Sequence, residues 1–129
     1  MKNIVLNASL LLSLCLSVVS CSEDGKKHVV KKNEKYYQTK MCNELKGEIE
    51  FVLPDKTRVD CLTDMYAIEV DWAQKWAEGV GQSIYYAEIT DKKPAVALII
   101  RDSKSDERHY KRLVVVADKL NIRIFRLKK

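Results

Sequence analysis

The run Pro94 to Ile100 carries no polar side chain. A strand with an apolar residue at every position has both faces buried. Such a strand sits inside a sheet that is covered on each side. Helical patterns stand before and after it. From Trp72 to about Tyr86, apolar residues at 72, 73, 76, 77, 80 and 84 have helical spacing. From Ser103 to Leu120 a second helix has Tyr110, Leu113, Val114, Ala117 and Leu120 as its expected buried stripe, with Asn121 as its stop. Ile122 to Leu127 then alternates apolar and basic residues, as an edge strand blunted by Arg123 and Arg126 does.

The preceding half is richer in strands. Tyr36 to Leu45 reads as a helix closed by Lys46-Gly47. Glu48 to Leu53 alternates, which places Ile49, Phe51 and Leu53 on one face. Pro54-Asp55-Lys56 is a turn. Thr57 to Leu62 and Met65 to Asp71 are two more strands. The expected order is α-β-β-β-α-β-α-β, an α/β domain over residues 36–129.

Three acids stand out in that frame. Glu69 and Asp71 are two apart on one strand and so project to the same face. Asp60, on the neighbouring strand, can join them. Carboxylates converging at the end of a small sheet suit a hard cation. Ile68 and Val70 flank Glu69 as core residues, so its carboxylate needs a partner. Asp71 has a second reading: with Gln74 it forms a capping-box pattern, the aspartate as N-cap. Trp72 and Trp76 read as core residues rather than base-stacking platforms.

The first twenty residues read as a leader. Lys2 precedes an apolar run, Ile4 to Val19, that suits a signal peptide better than a membrane span. The end, Val18-Val19-Ser20-Cys21, resembles a bacterial lipobox. That resemblance implies cleavage before Cys21 and a diacylglycerol on its sulfur; Cys15 is a poor alternative because Leu14 precedes it. Several acyl chains hold far better than one, since each buried methylene contributes about 0.8 kcal/mol. Ser22 is not aspartate, which by the usual sorting pattern favours an outer membrane, the domain facing the periplasm. An uncleaved anchor helix is the competing account. Residues 21–35, rich in lysine, read as a tether.

Cys42 and Cys61 remain as thiols in an oxidising compartment, where a disulfide is the natural expectation. A zinc site with His28 and His109 is the alternative, but the spacing fits no standard pattern. The formal charge of the chain is +5. Acids dominate from Glu44 to Asp71 and bases from Arg101 to Lys129, an asymmetry that suits a polyanionic substrate approached through a cation. Ordinary solvated charge gives the same count. No serine nucleophile motif, P-loop or dinucleotide fingerprint is present.

The element order, with carboxylates on the second and third strands, resembles the core of the PD-(D/E)xK nucleases, the fold of type II restriction endonucleases and Holliday-junction resolvases. The restriction-endonuclease-like α-β-β-β-α-β core would span about Tyr36 to Arg101, followed by an additional C-terminal helix and strand. The resemblance implies Mg²⁺ or Mn²⁺ held by Asp60 and Glu69, with Asp71 and Glu44 as further acids, and nucleic acid as the partner. Homodimers are known among such proteins. The pair Pro54-Asp55 is a decoy, one strand too early. The lysine of the family pattern would stand at position 71, where this chain has Asp71. Lys75, one turn into the next helix, would take its place, and Gln82 shares its helical face with Glu78. Three readings follow: an envelope-anchored nuclease, an inactive member of the same fold that binds or scaffolds, and an unrelated small α/β lipoprotein whose carboxylates are structural or bind calcium.

Overall fold

The computed structural model of the protein describes residues 32–129. The leader, Cys21 and most of the tether lie outside the described residues. The elements are α1 (Glu34–Glu44), β1 (Glu48–Val52), β2 (Arg58–Leu62), β3 (Tyr66–Trp72), α2 (Trp76–Thr90), β4 (Lys93–Ile100), α3 (Lys104–Leu120) and β5 (Arg123–Lys128). A short 3-10 turn, Ala73–Lys75, joins β3 to α2. The element order is the one expected. Among the described residues no helix is long and apolar enough to cross a membrane.

One five-stranded mixed sheet runs in the order β1-β2-β3-β4-β5. The first three strands form antiparallel neighbours; β3, β4 and β5 are parallel. β4 is central to the parallel part, and Ala95 to Ile100 are all buried. α1 covers one face, where Tyr37, Met41 and Cys42 pack on Ile68, Val70, Ala97 and Ile99. α2 and α3 cover the other, where Val80, Leu113 and Ala117 pack on Val96 and Leu98. Tyr86 and Ala87 of α2 close a third cluster with Ala67 and Val59.

The helix ends follow their side chains. Asn33 caps α1 by accepting from the Tyr36 amide at 3.0 Å, so the helix starts two residues before the expected Tyr36. Ser103 caps α3 through the Asp106 amide at 3.1 Å, and Asn121 ends it in the left-handed region at φ 53°. At the end of α1 it is Lys46, not Gly47, that turns left-handed (φ 55°). Gly47 serves a different need: a Cβ there would stand 2.6 Å from Cys61 Sγ and 2.9 Å from Cys42 Sγ. Those two cysteines form the expected disulfide, Cα–Cα 5.6 Å, which ties α1 to β2. With both sulfurs bonded to each other, the zinc alternative has no thiolate ligands.

Three expectations fail in informative ways. Ile49 and Phe51 do not share a face: Ile49 packs on the α1 side, Phe51 and Leu53 on the α2 side. Glu50 between them is left-handed (φ 58°), and this breaks the period of two. On α3, Val114 and Leu120 are exposed while Val116 packs inward. On α2, Ala77 and Ile84 are exposed, and the inner face is Gly79, Val80, Ser83, Tyr86 and Ala87.

Candidate functional site

The switch at Glu50 has a counterpart across the hairpin. Val59 faces α2 while Cys61 faces α1, and Asp60 lies between them. The backbone ladder between β2 and β3 is confined to Cys61↔Ile68 and Leu62↔Ala67, whereas β3 pairs with β4 along its whole length. The sheet therefore opens at Asp60. The Asp60 carboxylate fills the opening: Oδ2 accepts from the Val70 amide at 2.8 Å. From the α1 side, Gln38 Nε2 lies 3.2 Å from Asp60 Oδ1, 2.9 Å from the Asp60 carbonyl and 3.1 Å from Glu50 Oε1. Lys35 and Arg58 also reach Glu50, at 3.4 and 3.3 Å.

Glu69 and Asp71 project from β3 to the α2 face, since Ile68 and Val70 occupy the α1 face. Glu69 is 7 % exposed and Asp71 3 %. Glu69 Oε2 and Asp71 Oδ2 are buried without a hydrogen-bond partner among the described residues. An unpaired buried carboxylate is costly, and the group responds by holding its proton. Burial, then the charges of Asp60 and Asp71, push the Glu69 carboxyl up to about 9. Burial pushes Asp60 up to about 6 against the Val70 hydrogen bond. Burial also raises Asp71 to about 6, opposed by the Lys75 charge. Without a cation, Glu69 is protonated at neutral pH.

The turn after β3 brings Lys75 back over Asp71, with Nζ 3.4 Å from Oδ1 and 4.0 Å from Glu78 Oε2. The Asp71 charge raises the Lys75 ammonium above its usual range, so Lys75 stays a cation. Asp71 does not act as a helix cap. Neither Trp72 nor Lys75, the residues at the two N-cap positions, makes a side-chain cap. Gln74 instead accepts from Arg101 Nη2 at 2.7 Å. Gly79 explains how α2 lies so close: a Cβ there would stand 3.4 Å from Asp71 Oδ2 and 3.4 Å from Val96 Cγ1.

Gln82 Nε2 lies 3.3 Å from the Tyr86 hydroxyl. Burial raises the Tyr86 hydroxyl, and the charges of Glu69 and Asp60 reach it. Glu44 is not among them. It is the exposed last residue of α1, about 15 Å along the helix from its start. Glu34, in the first turn, is the helix acid whose charge reaches Asp60, Glu69 and Asp71. The Asn33 cap, which sets the helix start, is the sequence signal that would have found it. Gln38 gives no such signal; it looks like any polar residue on an amphipathic helix. Trp72 packs edge-on against Tyr37 at 6.0 Å, as a core residue does.

As the side chains stand, no three His, Cys, Asp or Glu groups among the described residues close around one point. The chemistry of the donors still suits a hard divalent cation: all are carboxylates, and two carry a buried oxygen with no partner. No protein-family profile, curated protein or solved structure matches the chain.

Proposed function

We propose that this chain is an envelope lipoprotein, lipidated at Cys21 and anchored in the outer membrane facing the periplasm, whose domain is a PD-(D/E)xK-like nuclease. The observation that carries the reading is the pairing of unsatisfied buried carboxylates with an amine from the 3-10 turn that follows β3. Glu69 and Asp71 share the α2 face of β3, the Asp60 carboxylate fills the opening between β2 and β3, and Lys75 reaches Asp71 at 3.4 Å. The element order and the antiparallel-then-parallel sheet support the fold assignment.

In this reading Asp60 and Glu69 would hold Mg²⁺ or Mn²⁺, with Asp71 as a further acid. When bound, the cation supplies Lewis-acid charge stabilisation to the phosphoryl group. Asp71 fixes the Lys75 ammonium, which pairs with the scissile phosphate as a positive charge rather than as a base, because Asp71 keeps it protonated. Gln82, held by Tyr86, orients the phosphate or the attacking water. Gln38 and the Val70 amide set the position of Asp60.

A cleavage assay tests this. The full chain in non-ionic detergent is incubated with single- and double-stranded DNA and RNA in Mg²⁺, Mn²⁺ or EDTA, beside Asp60→Ala and Lys75→Ala. Metal-dependent cutting, lowered at least about a hundredfold in both variants, is the expected result. Cutting retained in Asp60→Ala contradicts it. The second reading is an inactive member of the same fold that binds or scaffolds. It is favoured by one fact, that Lys75 is already engaged by Asp71 and Glu78. A folded chain that cuts nothing would leave that reading in place.

A further inference from the structure

A concave feature lies at the C-terminal ends of β4 and β5, where parallel strands leave room for ligands. It is a cleft of about 330 Å³ lined by Arg101, Arg126, Lys128 and Lys129, with Asp102 and Glu107. It adjoins the carboxylate site through the chain itself. Trp72 follows Asp71, and Gln74, which precedes Lys75, accepts from Arg101 at 2.7 Å.

Two of the four cations, Arg101 and Arg126, are held in place by the fold. Asp106, 3 % exposed, grips Arg101 through Nε at 3.0 Å, Nη2 at 3.3 Å and the backbone amide at 2.8 Å. The Arg101 guanidinium also lies 5.4 Å from the Trp72 ring centre. Arg126 pairs with Glu107 and stacks 4.6 Å over Tyr110. The Lys129 amide donates to the Ile100 carbonyl at 3.0 Å, and its ammonium is 6.0 Å from Trp72. Neither Lys128 nor Lys129 is in an ion pair among the described residues. Arg101 and Arg126 have already lost their rotamer freedom on folding, so an anion there orders little beyond the two exposed lysines. Among the described residues no aromatic side chain lines the cleft, so it offers charge for phosphates rather than a ring for bases.

We propose that this cleft holds the backbone phosphates of the nucleic-acid strand on one side of the carboxylate site, without reading its sequence. The inference rests on the nuclease reading for its ligand class and is tested without cleavage. The full chain in non-ionic detergent is titrated in EDTA against two labelled single-stranded 20-mers of different composition, with anisotropy as readout. Lys128→Ala/Lys129→Ala is compared with a charge-matched control on exposed positions of α3, Lys111→Ala/Lys119→Ala.

The cleft variant weakens binding about tenfold for both oligonucleotides and lowers the salt slope by about 1.4, the value for two phosphate contacts on a single strand. The control weakens it less than about threefold. No binding by the parent chain, equal losses in the two double variants, or a loss confined to one oligonucleotide each overturn the proposal. Asp60→Ala separates the two claims: it keeps cleft-dependent binding, and if the parent binds in this way yet never cuts, the catalytic reading alone fails.

Discussion

β3 and β4 run side by side in parallel, equally buried, and under the same helix. Val96 and Leu98 of β4 are the cross-strand partners of Glu69 and Asp71 of β3. Val96 and Leu98 are fully buried, and each stabilises the fold by roughly 1.5–3 kcal/mol relative to exposure. At the matching positions β3 carries two carboxylates, one kept neutral and one leaning on Lys75. Folding alone would favour apolar residues there. Groups that a fold carries at a cost, with protonation shifted by burial and by each other, are the ground on which the nuclease proposal rests. The comparison also shows why β4 reads so plainly in the sequence and β3 does not.

The largest effect tests whether that tolerance belongs to β3 alone. Val96→Asp puts a further carboxylate on the same buried face, directly across from Glu69 and with no partner given by the fold. It should cost several kcal/mol and leave no cooperative unfolding transition in denaturant titrations. A folded Val96→Asp protein would mean that this face is simply wet.

The next effect is pH dependence in EDTA. The Glu69 carboxyl titrates at about 9 in the folded chain, against an ordinary 4.5. Between those values the folded chain holds a proton that the unfolded chain has lost. Stability present at low pH is therefore lost as pH rises through that window, by roughly several kcal/mol in all. Asp60 and Asp71 act with the same sign, from 3.8 to about 6. Glu69→Gln should flatten the stability curve between pH 6 and 9 and leave the fall below pH 6. Parallel curves for parent and variant would show that Glu69 is not the buried proton holder.

The smallest effect compares the two glycines of α2. A Cβ at Gly81 meets nothing within 4 Å, so Gly81→Ala should add up to about 1 kcal/mol from helix propensity. Gly79→Ala should gain less, because its Cβ meets Asp71 and Val96 at 3.4 Å. Equal gains in thermal unfolding would show that α2 does not press on the β3 carboxylates.

The order of elements was legible because each has a strong local signature. β4 has its apolar run, α3 has Ser103 and Asn121 at its ends, and the hairpin has Pro54-Asp55. The facing of residues was less legible. Period-two reasoning assumes an even backbone, and Glu50 turns left-handed with nothing in its neighbours to announce it. That single residue separates Ile49 from Phe51. On the helices, apolar residues outnumber the inward positions, so Val114, Leu120 and Ile84 read as core yet face out. In the site, Glu69 and Asp71 were visible by spacing and Lys75 by its place one turn on. The helix acid was not: Glu44 reads as well as Glu34 until the start of α1 is fixed by Asn33. Asp71 read equally as a cap, and only the buried end of β3 decides otherwise.

The central claim is that these carboxylates are buried in order to hold a cation. Titration calorimetry of the full chain with Mn²⁺ at pH 8, in two buffers of different ionisation enthalpy, tests it directly. The account predicts saturable binding with release of about one proton, the one held by Glu69, and loss of binding in both Asp60→Ala and Glu69→Gln. No binding, or binding that survives both substitutions, would contradict it.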